Sequence, residues 1–181
     1  SVNIKQLLDR LNTGCRESLE RAAGICVGRT HYEITSEHLF MEFLEEPGSD
    51  IRIILDRYGI EVRDVKVALN KTFEKFSTGN GARPVFSTRL IELFQDSFLT
   101  SSIELYENKV RSGSILITLL KKPYKYVDDI LYDQIRIINQ EDLIENFATI
   151  TKNSSENITQ IAESTKEGET PGDEKRENVP P

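Results

Sequence analysis

The sequence contains little of what a secreted or membrane-spanning protein requires. Its 181 residues include two cysteines and no tryptophan. Cys15 and Cys26 have no CxxC partner, and such isolated thiols indicate a reducing compartment rather than a disulfide framework. No apolar run reaches the ~18–20 residues that cross a bilayer, and the first residues lack the apolar core of a signal peptide. We therefore expect a cytoplasmic protein.

Basic residues are also scarce. The 23 Lys and Arg are outnumbered by 30 Asp and Glu, which gives a net charge of −7. Because nucleic acids and anionic membranes are bound by positive surfaces, we expect neither as a partner. Hydrophobic residues make up 38% and charged residues 29% of the chain. This composition is typical of a globular domain with a modest core.

The last part of the chain lacks aromatic residues, since all eight Phe and all six Tyr precede residue 148. Residues 151–181 carry four basic and seven acidic residues and few apolar ones. Such a segment buries too little apolar surface to offset the entropy of ordering it. We predict a folded domain at residues 1–150 and a flexible acidic linker at residues 151–181, which leads to a further module. A plain disordered terminus is the alternative.

Up to residue 150 the pattern predicts helices, and strand-like alternation is almost absent. One apolar stripe at helical spacing consists of Ile4, Leu7, Leu8 and Leu11. Further apolar-periodic segments follow residues that can cap a helix N-terminus, and glycine or proline ends several of them. The predicted caps are Asn12, Thr35, Asp50 and Ser87, and the predicted stops are Gly28, Pro47 and Gly59. The turn-rich segment Ser77–Pro84 is predicted to be a hinge between two halves. The fold class is therefore all-α.

Two parts of the sequence repeat each other with a period of about 75 residues. The segment Val110–Pro123 matches Ile34–Pro47 position by position, and Thr13 pairs with Thr88 one residue out of that register. The remaining helices are predicted at residues 62–76, 127–135 and 140–150. We predict two copies of a four-helix unit around a shared core, with an additional N-terminal helix ahead of the first copy.

Two blocks carry a resemblance to a known family. They read LNTGCRESLERAAGICVGRTHYEIT, from Leu11, and TGNGARPVFSTRLIELFQDSFL, from Thr78. Over about residues 10–145 the chain resembles the N-terminal (Clp N) domain of Hsp100/Clp AAA+ unfoldases, most of all the ClpV type of type VI secretion. The resemblance implies a pseudo-twofold double Clp N repeat. It also implies a bacterial receptor domain that captures an N-terminal helix of the contractile sheath subunit, so that a hexameric motor can disassemble and recycle contracted sheath.

The sequence lacks the machinery of that motor. A nucleotide-binding loop has the form G-x-x-x-x-G-K-[ST], and the pair Gly79 and Gly81 has no following Lys-Ser or Lys-Thr. We therefore expect no enzyme activity and no cofactor in these residues. The resemblance implies that ATP and Mg²⁺ bind in absent ATPase modules of the full-length protein. We expect the isolated domain to be a monomer and the full-length protein to be a homohexamer.

The additional helix breaks the symmetry of the repeat, because the second copy is preceded by the Gly-rich hinge alone. We expect this helix to wall an apolar groove near the start of the second copy. Such a groove takes an amphipathic helix through a few anchoring side chains. The predicted peptide-binding residues are Leu7, Leu8, Leu11, Cys15, Val85, Phe86 and Thr88.

The same residues also have structural explanations. Phe86 precedes the Ser87 cap and is placed to pack on Ile91 as a hydrophobic staple. The stripe of the first helix is suited to face the core, and Cys15 is suited to be a small buried hydrophobe. The sequence leaves these alternatives open.

Other functions fit the sequence less well. His31 and His38 with Cys26 do not meet the spacing of a metal site, so we expect His38 to be structural and a metal-dependent enzyme or hydrolase to be a weak alternative. An adaptor-docking domain of a general quality-control unfoldase, of the ClpA, ClpB or ClpC kind, is the main alternative. A free-standing helical scaffold without a motor is another.

Overall fold

A computed structural model of the chain describes residues 3–158. In this part of the chain, helices are accompanied by one pair of two-residue strands. The helices of the first half are α1 (Ile4–Asp9), α2 (Thr13–Gly28), α3 (Ser36–Phe43), α4 (Asp50–Arg57) and α5 (Val62–Glu74), with the strand β1 (Glu33–Ile34). The second half contains the strand β2 (Val85–Phe86) and the helices α6 (Thr88–Glu104), α7 (Ser112–Lys121), α8 (Pro123–Tyr126), α9 (Asp129–Ile135), α10 (Gln140–Glu145) and α11 (Phe147–Ile150). The predicted all-α class is confirmed.

Local side-chain caps begin most of the longer helices. Asn12 accepts a hydrogen bond from the backbone N–H of Cys15, and Thr35 and Ser87 cap α3 and α6 in the same way. These three predicted caps are confirmed. The fourth cap was predicted at Asp50, but the side chain that caps α4 is that of Ser49, one residue earlier. The carboxylate of Asp50 is instead held by Arg111, at 2.7 Å from Nε and 2.8 Å from Nη2.

The two halves repeat each other in backbone conformation as well as in sequence. The first long helix of each half begins at Thr13 or Thr88. Beyond the end of these helices, Thr30 and Tyr106 share a positive φ of 57°, which is uncommon for residues other than glycine. The sequence offset grows from 75 to 76 between these points because α6 has 17 residues and α2 has 16. The repeat that the sequence predicts is therefore present in the fold.

The second half departs from the first at its end. The counterpart of α5 was predicted to be one helix over 140–150, and the structure divides it into α10 and α11 at Asn146. The side chain of Asn146 donates to the backbone oxygen and the carboxylate of Asp142. This capping contact satisfies the end of α10 and stops it there.

Short parallel pairings join the two halves crosswise. Ile34 of β1 pairs with Phe86 of β2, and Leu11 forms an isolated bridge with Val110. In the repeat, Leu11 is the counterpart of Phe86, and Val110 is the counterpart of Ile34. Leu11 and Phe86 lie just before α2 and α6, the first long helix of each half, whereas Ile34 and Val110 lie just before the following helices, α3 and α7. Each pairing therefore joins the segment before the first long helix of one half to the segment before the following helix of the other half. Pairings of one or two residues are too short to produce an alternating pattern, so the sequence gives no signal for them.

The core is continuous across both halves, and large buried side chains such as Phe40, Phe73 and Phe94 belong to one cluster. The packed chain also continues past the predicted boundary at residue 150. Thr151, Ser154 and Glu156 are buried. The folded part therefore extends beyond the predicted boundary at residue 150. A flexible linker stays a prediction, and its residues 159–181 lie outside the described part. None of the helices within residues 3–158 is long and apolar enough to cross a membrane.

Candidate functional site

An open apolar groove lies on the outer face of α2, where both halves meet. Its volume is about 730 Å³. The C-terminal half of α2 forms its floor, β1 and β2 with the start of α6 form one side, and the N-terminus of α1 closes one edge. It is lined by Ile4, Ala23, Gly24, Val27, Ile34, Arg83, Pro84, Val85, Phe86 and Ile91. Below, "the groove" means this set of residues.

Several apolar side chains in the groove are exposed to solvent. Val85 is 62% exposed and Val27 is 57% exposed, and Ile4 also retains part of its surface. Single exposed apolar residues are ordinary, but a contiguous concave patch marks an interaction site. Covering these side chains with a partner would remove their apolar surface from water, which is the main favourable contribution to association.

Two small residues lie side by side where α2 lines the groove. A Cβ atom built at Gly24 meets no atom within 4 Å, so the space above it is open. Ala23 beside it is half-buried. A partner side chain can therefore approach the backbone of α2 closely at this point.

The structure separates the seven predicted peptide-binding residues. Val85 and Phe86 line the groove, and Ile91, the predicted staple partner of Phe86, lines it too. Leu7 and Leu8 are half-buried against the core. Leu11 and Cys15 are fully buried, and Thr88 is exposed at the start of α6 outside the groove lining. A binding role for these seven residues stays a prediction.

Sequence reasoning missed the contribution of α2 to the groove. Ala23 and Gly24 carry little hydrophobic signal, and Val27 follows them by one helical turn on the same face. An outward-facing row of small and apolar residues in an otherwise charged helix was the available signal. The edge of the groove also carries a positive charge, on Arg83.

Behind β1, two buried histidines form a structural pair. The backbone N–H of Thr35 donates to Nδ1 of His38 at 2.9 Å, so the ring proton of His38 is on Nε2, which lies 2.9 Å from Nδ1 of His31. The rings pack against Phe73 and Phe76. Burial, with smaller effects of His31 and Arg29, lowers the pKa of His38 to about 3. Both histidine side chains are therefore neutral, and the pair supports α3 and β1 structurally.

Metal chemistry finds little support in the described residues. Over residues 3–158 there is no group of three or more His, Cys, Asp or Glu side chains that could hold a metal ion. Cys15 and Cys26 are both buried, and burial, with a smaller effect of Glu33, raises the pKa of Cys26. A raised thiol pKa opposes formation of the reactive thiolate.

Comparison with known proteins supplies a family. A family model described as the Clp repeat (R) N-terminal domain matches residues 10–134. The chain is also 24% identical over 168 residues to the AAA+ ATPase ClpV1 of Pseudomonas aeruginosa, a match that covers 92% of this chain. The chain spans 19% of the length of that curated relative.

Solved structures agree with this match. The N-domain of ClpV from Vibrio cholerae is 35% identical, with a TM-score of 0.80 over 85% of this chain and 92% of that one. A complex of a ClpV N-domain with a VipB peptide is 35% identical, with a TM-score of 0.79 over 85% of this chain and 94% of that one. The latter domain is thus known with a peptide bound.

Proposed function

The chain belongs to the Clp repeat N-terminal domain family, and we propose that it recognises a short helical peptide of a type VI secretion sheath subunit, which it binds in the groove. The observation that carries this proposal is the groove itself, an apolar concavity whose side chains lack a cover among residues 3–158. The similar ClpV N-domain in complex with a VipB peptide supports a peptide as the occupant.

The shape and chemistry of the groove suit a helix with one apolar face. Amphipathic helices bind such grooves through side chains at i, i+3 or i+4, and i+7. The open space above Gly24 accepts a bulky anchor, and Val27 and Val85 flank it. A few well-buried anchors of this kind supply most of the affinity of a small interface.

We further propose that this domain serves a larger protein. The matching family model describes an N-terminal domain, and the P. aeruginosa relative, an AAA+ ATPase, is about five times as long as the matched part. In that setting, peptide capture would deliver sheath protein to a hexameric motor, and ATP and Mg²⁺ would act there rather than in this domain. A cytoplasmic location is part of the same proposal.

Substitution of one groove residue tests the function against a matched surface residue. Val85→Asp places a charge in the groove, and Ile103→Asp places one on an equally exposed apolar residue of α6 outside it; Ile103 is 66% exposed. Fluorescence anisotropy with labelled VipB peptide measures binding. We expect Val85→Asp to weaken binding at least tenfold and Ile103→Asp to leave it unchanged.

Binding of an unfolded model protein serves as the competing measurement. If the wild-type chain binds unfolded protein and not the sheath peptide, the quality-control alternative replaces this proposal. If both variants bind the peptide like the wild type, the groove is not the site.

A further inference from the structure

After α11 the chain returns to the first half as a short strap, residues 151–157, which contains no apolar residue. The backbone N–H of Ser155 donates to the backbone oxygen of Gly48, ahead of α4, at 2.9 Å. The hydroxyls of Ser154 and Ser155 donate to the same oxygen. Within the strap, Nδ2 of Asn157 donates to the backbone oxygen of Thr151 at 2.7 Å. Polar contacts therefore hold the strap, and none of its own side chains adds to the apolar core.

The contacts that join the strap to both halves lie at its C-terminal end. The carboxylate of Glu156 accepts from the backbone N–H of Asp50 at 2.7 Å and from that of Ser112 at 2.8 Å, at the starts of α4 and α7. Beside it, Oδ1 of Asn157 accepts from Nη2 of Arg111 at 2.6 Å. A pull on the chain beyond residue 158 acts on these last two residues of the strap first. The strap therefore opens from its C-terminal end.

The repeat explains why this carboxylate comes from outside the repeated helices. In the first half, Glu37 of α3 accepts from the backbone N–H of Asp128, the residue that precedes α9 in the second half. At an offset of 76, the counterpart of Glu37 on α7 is Gly113. A Cβ atom at Gly113 would lie 2.5 Å from an atom of the Phe147 ring, so α7 has no room for a glutamate there. Glu156 supplies the carboxylate that α7 lacks, and it does so from a segment beyond the last helix.

Opening of the strap requires less than unfolding of the domain. Within residues 3–158, the buried apolar cluster extends along the chain as far as Phe147, and Ile150 packs partly against it. Segments that bury few apolar side chains open at a lower free energy than the core does. When the strap opens, its own polar groups and the exposed donors of Asp50 and Ser112 can bond to water. The remaining helices keep their apolar contacts with one another.

We propose that the strap is releasable: when closed, it holds the start of the following chain at the N-termini of α4 and α7, and when open, it adds up to about 25 Å to the reach of that chain while both repeats stay folded. The strap lies away from the groove, because Asn12, which binds Glu156, is about 18 Å along α2 from Gly24. The movement is a property of this chain alone. Only its use as a tether of variable length rests on the proposal of a larger protein.

Limited proteolysis measures the opening, because Lys152 lies inside the strap and trypsin cleaves only chain that can extend into its active site. Mass spectrometry follows cleavage after Lys152 together with cleavage after Lys71, in the middle of α5, which requires unfolding of the domain. We expect Glu156→Ala to speed cleavage after Lys152 at least tenfold. An unchanged rate in this variant would overturn the inference.

A destabilised core is the matched control. Val65 of α5 is fully buried, and Val65→Ala weakens the core without touching the strap. We expect this variant to speed cleavage after Lys71 and to leave cleavage after Lys152 unchanged. Urea below the unfolding transition should have the same selective effect on the wild-type chain, because its action scales with the surface exposed on opening. If either perturbation speeds cleavage at both lysines equally, the strap opens only with the whole domain, and the inference is overturned.

A disulfide across the strap tests the same movement in the opposite direction. A Cβ atom built at Gly48 lies 3.4 Å from Cβ of Ser155, close to the separation found in disulfides. Gly48→Cys combined with Ser155→Cys can therefore hold the strap closed, and the native thiols of Cys15 and Cys26 are buried. We expect oxidation to slow cleavage after Lys152 at least tenfold and reduction to restore it. Equal rates in the oxidised and reduced chains would overturn the inference.

Single-molecule fluorescence energy transfer measures the change in reach. Dyes are attached through Glu74→Cys on α5 and Ile158→Cys just after the strap, both at exposed positions. We expect one narrow distribution of transfer efficiency in the chain with native Glu156 and a broad one after Glu156→Ala; narrow distributions in both would overturn the inference. The VipB peptide should bind the oxidised and reduced disulfide variants equally. Absence of peptide binding to the wild-type chain would contradict the proposed function and leave the release of the strap unaffected.

Discussion

The carboxylate of Glu156 is bound to Ser112 at the start of α7. The backbone N–H of Ser112 donates to Oε1 at 2.8 Å, and its hydroxyl donates to Oε2 at 2.6 Å. The same carboxylate accepts from the backbone N–H of Asp50 at 2.7 Å and from Nδ2 of Asn12 at 3.2 Å. Glu156 is 6% exposed. Glu156, which lies six residues beyond the predicted domain boundary at residue 150, thus satisfies the starts of helices from both halves, where unpaired donors and the helix dipoles favour an anion.

Removing this carboxylate should destabilise the fold. Glu156→Ala leaves buried donors of Ser112 and Asp50 without an acceptor, which costs about 3 kcal/mol. Chemical denaturation monitored by circular dichroism measures the free energy of unfolding. An alanine at the exposed Glu74 is the control and should change stability by less than ~0.5 kcal/mol. The chain ending at residue 150 should lose at least as much stability as Glu156→Ala relative to the chain ending at residue 158. Equal stability of the two shortened chains would contradict this role.

The ion pair beside Glu156 should be equally important. Arg111 and Asp50 are both buried, and Arg111 also binds Glu107 at 3.0 Å and Oδ1 of Asn157 at 2.6 Å. Arg111→Ala leaves the carboxylate of Asp50 buried without its partner, so we expect a loss of about 3–5 kcal/mol. The exposed Arg21, which pairs with two glutamates on the surface, provides the control. Its alanine variant should lose less than ~1 kcal/mol. Equal losses of stability in the two variants would show that the ion pair of Arg111 contributes no more to the free energy of unfolding than a surface ion pair does.

The histidine pair should make the fold sensitive to acid. The pKa of His38 in the folded protein is lowered to about 3 by burial, below the usual value near 6.5. The unfolded chain therefore binds protons first as the pH falls, and stability is lost progressively from about pH 6.5 toward pH 3. His38→Gln keeps an acceptor for the N–H of Thr35 and cannot titrate. We expect a smaller loss of stability between pH 6.5 and pH 4 in this variant; the same pH slope as the wild type would contradict the assignment.

Glu37 should give a pH effect of the opposite sign. Its carboxylate is buried in α3 and accepts from the N–H of Asp128 at 3.1 Å. Burial raises the pKa of Glu37 to about 7; the hydrogen bond from the backbone N–H of Asp128 opposes this rise, and the negative charge of the Asp128 side chain adds a smaller raising effect. The folded protein then holds a proton that the unfolded chain has lost, so this contribution is complete below about pH 4.5 and disappears as the pH rises through 7. Glu37→Gln should lack this decline in unfolding free energies measured from pH 4.5 to pH 8. A variant that declines as the wild type does would refute it.

Features that depend on residues close together in the sequence were easier to predict than features that depend on distant residues. The caps at Asn12, Thr35 and Ser87 are local, since each side chain bonds to a backbone group within three residues, and they were predicted correctly. The repeat was also visible, because matched burial requires matched residue types. Ser49 was missed in favour of Asp50 because both residue types cap helices, and the distant Arg111 decides between them.

Features that depend on tertiary contact were not predictable in the same way. Glu156 lies in a polar segment whose composition predicts a linker. It is nevertheless buried, because it binds the N-termini of helices that are distant in the sequence. The groove floor at Ala23 and Gly24 is defined by what the fold leaves uncovered, and small residues produce no strong pattern. Val85 and Phe86 were named from the break in symmetry and do line the groove, whereas Leu11 was drawn into the core by its pairing with Val110.

Titration of the ¹⁵N-labelled chain with VipB peptide, followed by amide chemical shifts, locates the peptide site directly. We expect the largest shifts at Ala23–Val27 and at Arg83–Ile91, while Leu99–Ile103 on α6 shift little. Largest shifts on α6, or on the side of the molecule that carries Glu156, would show that the groove on α2 is not the peptide site.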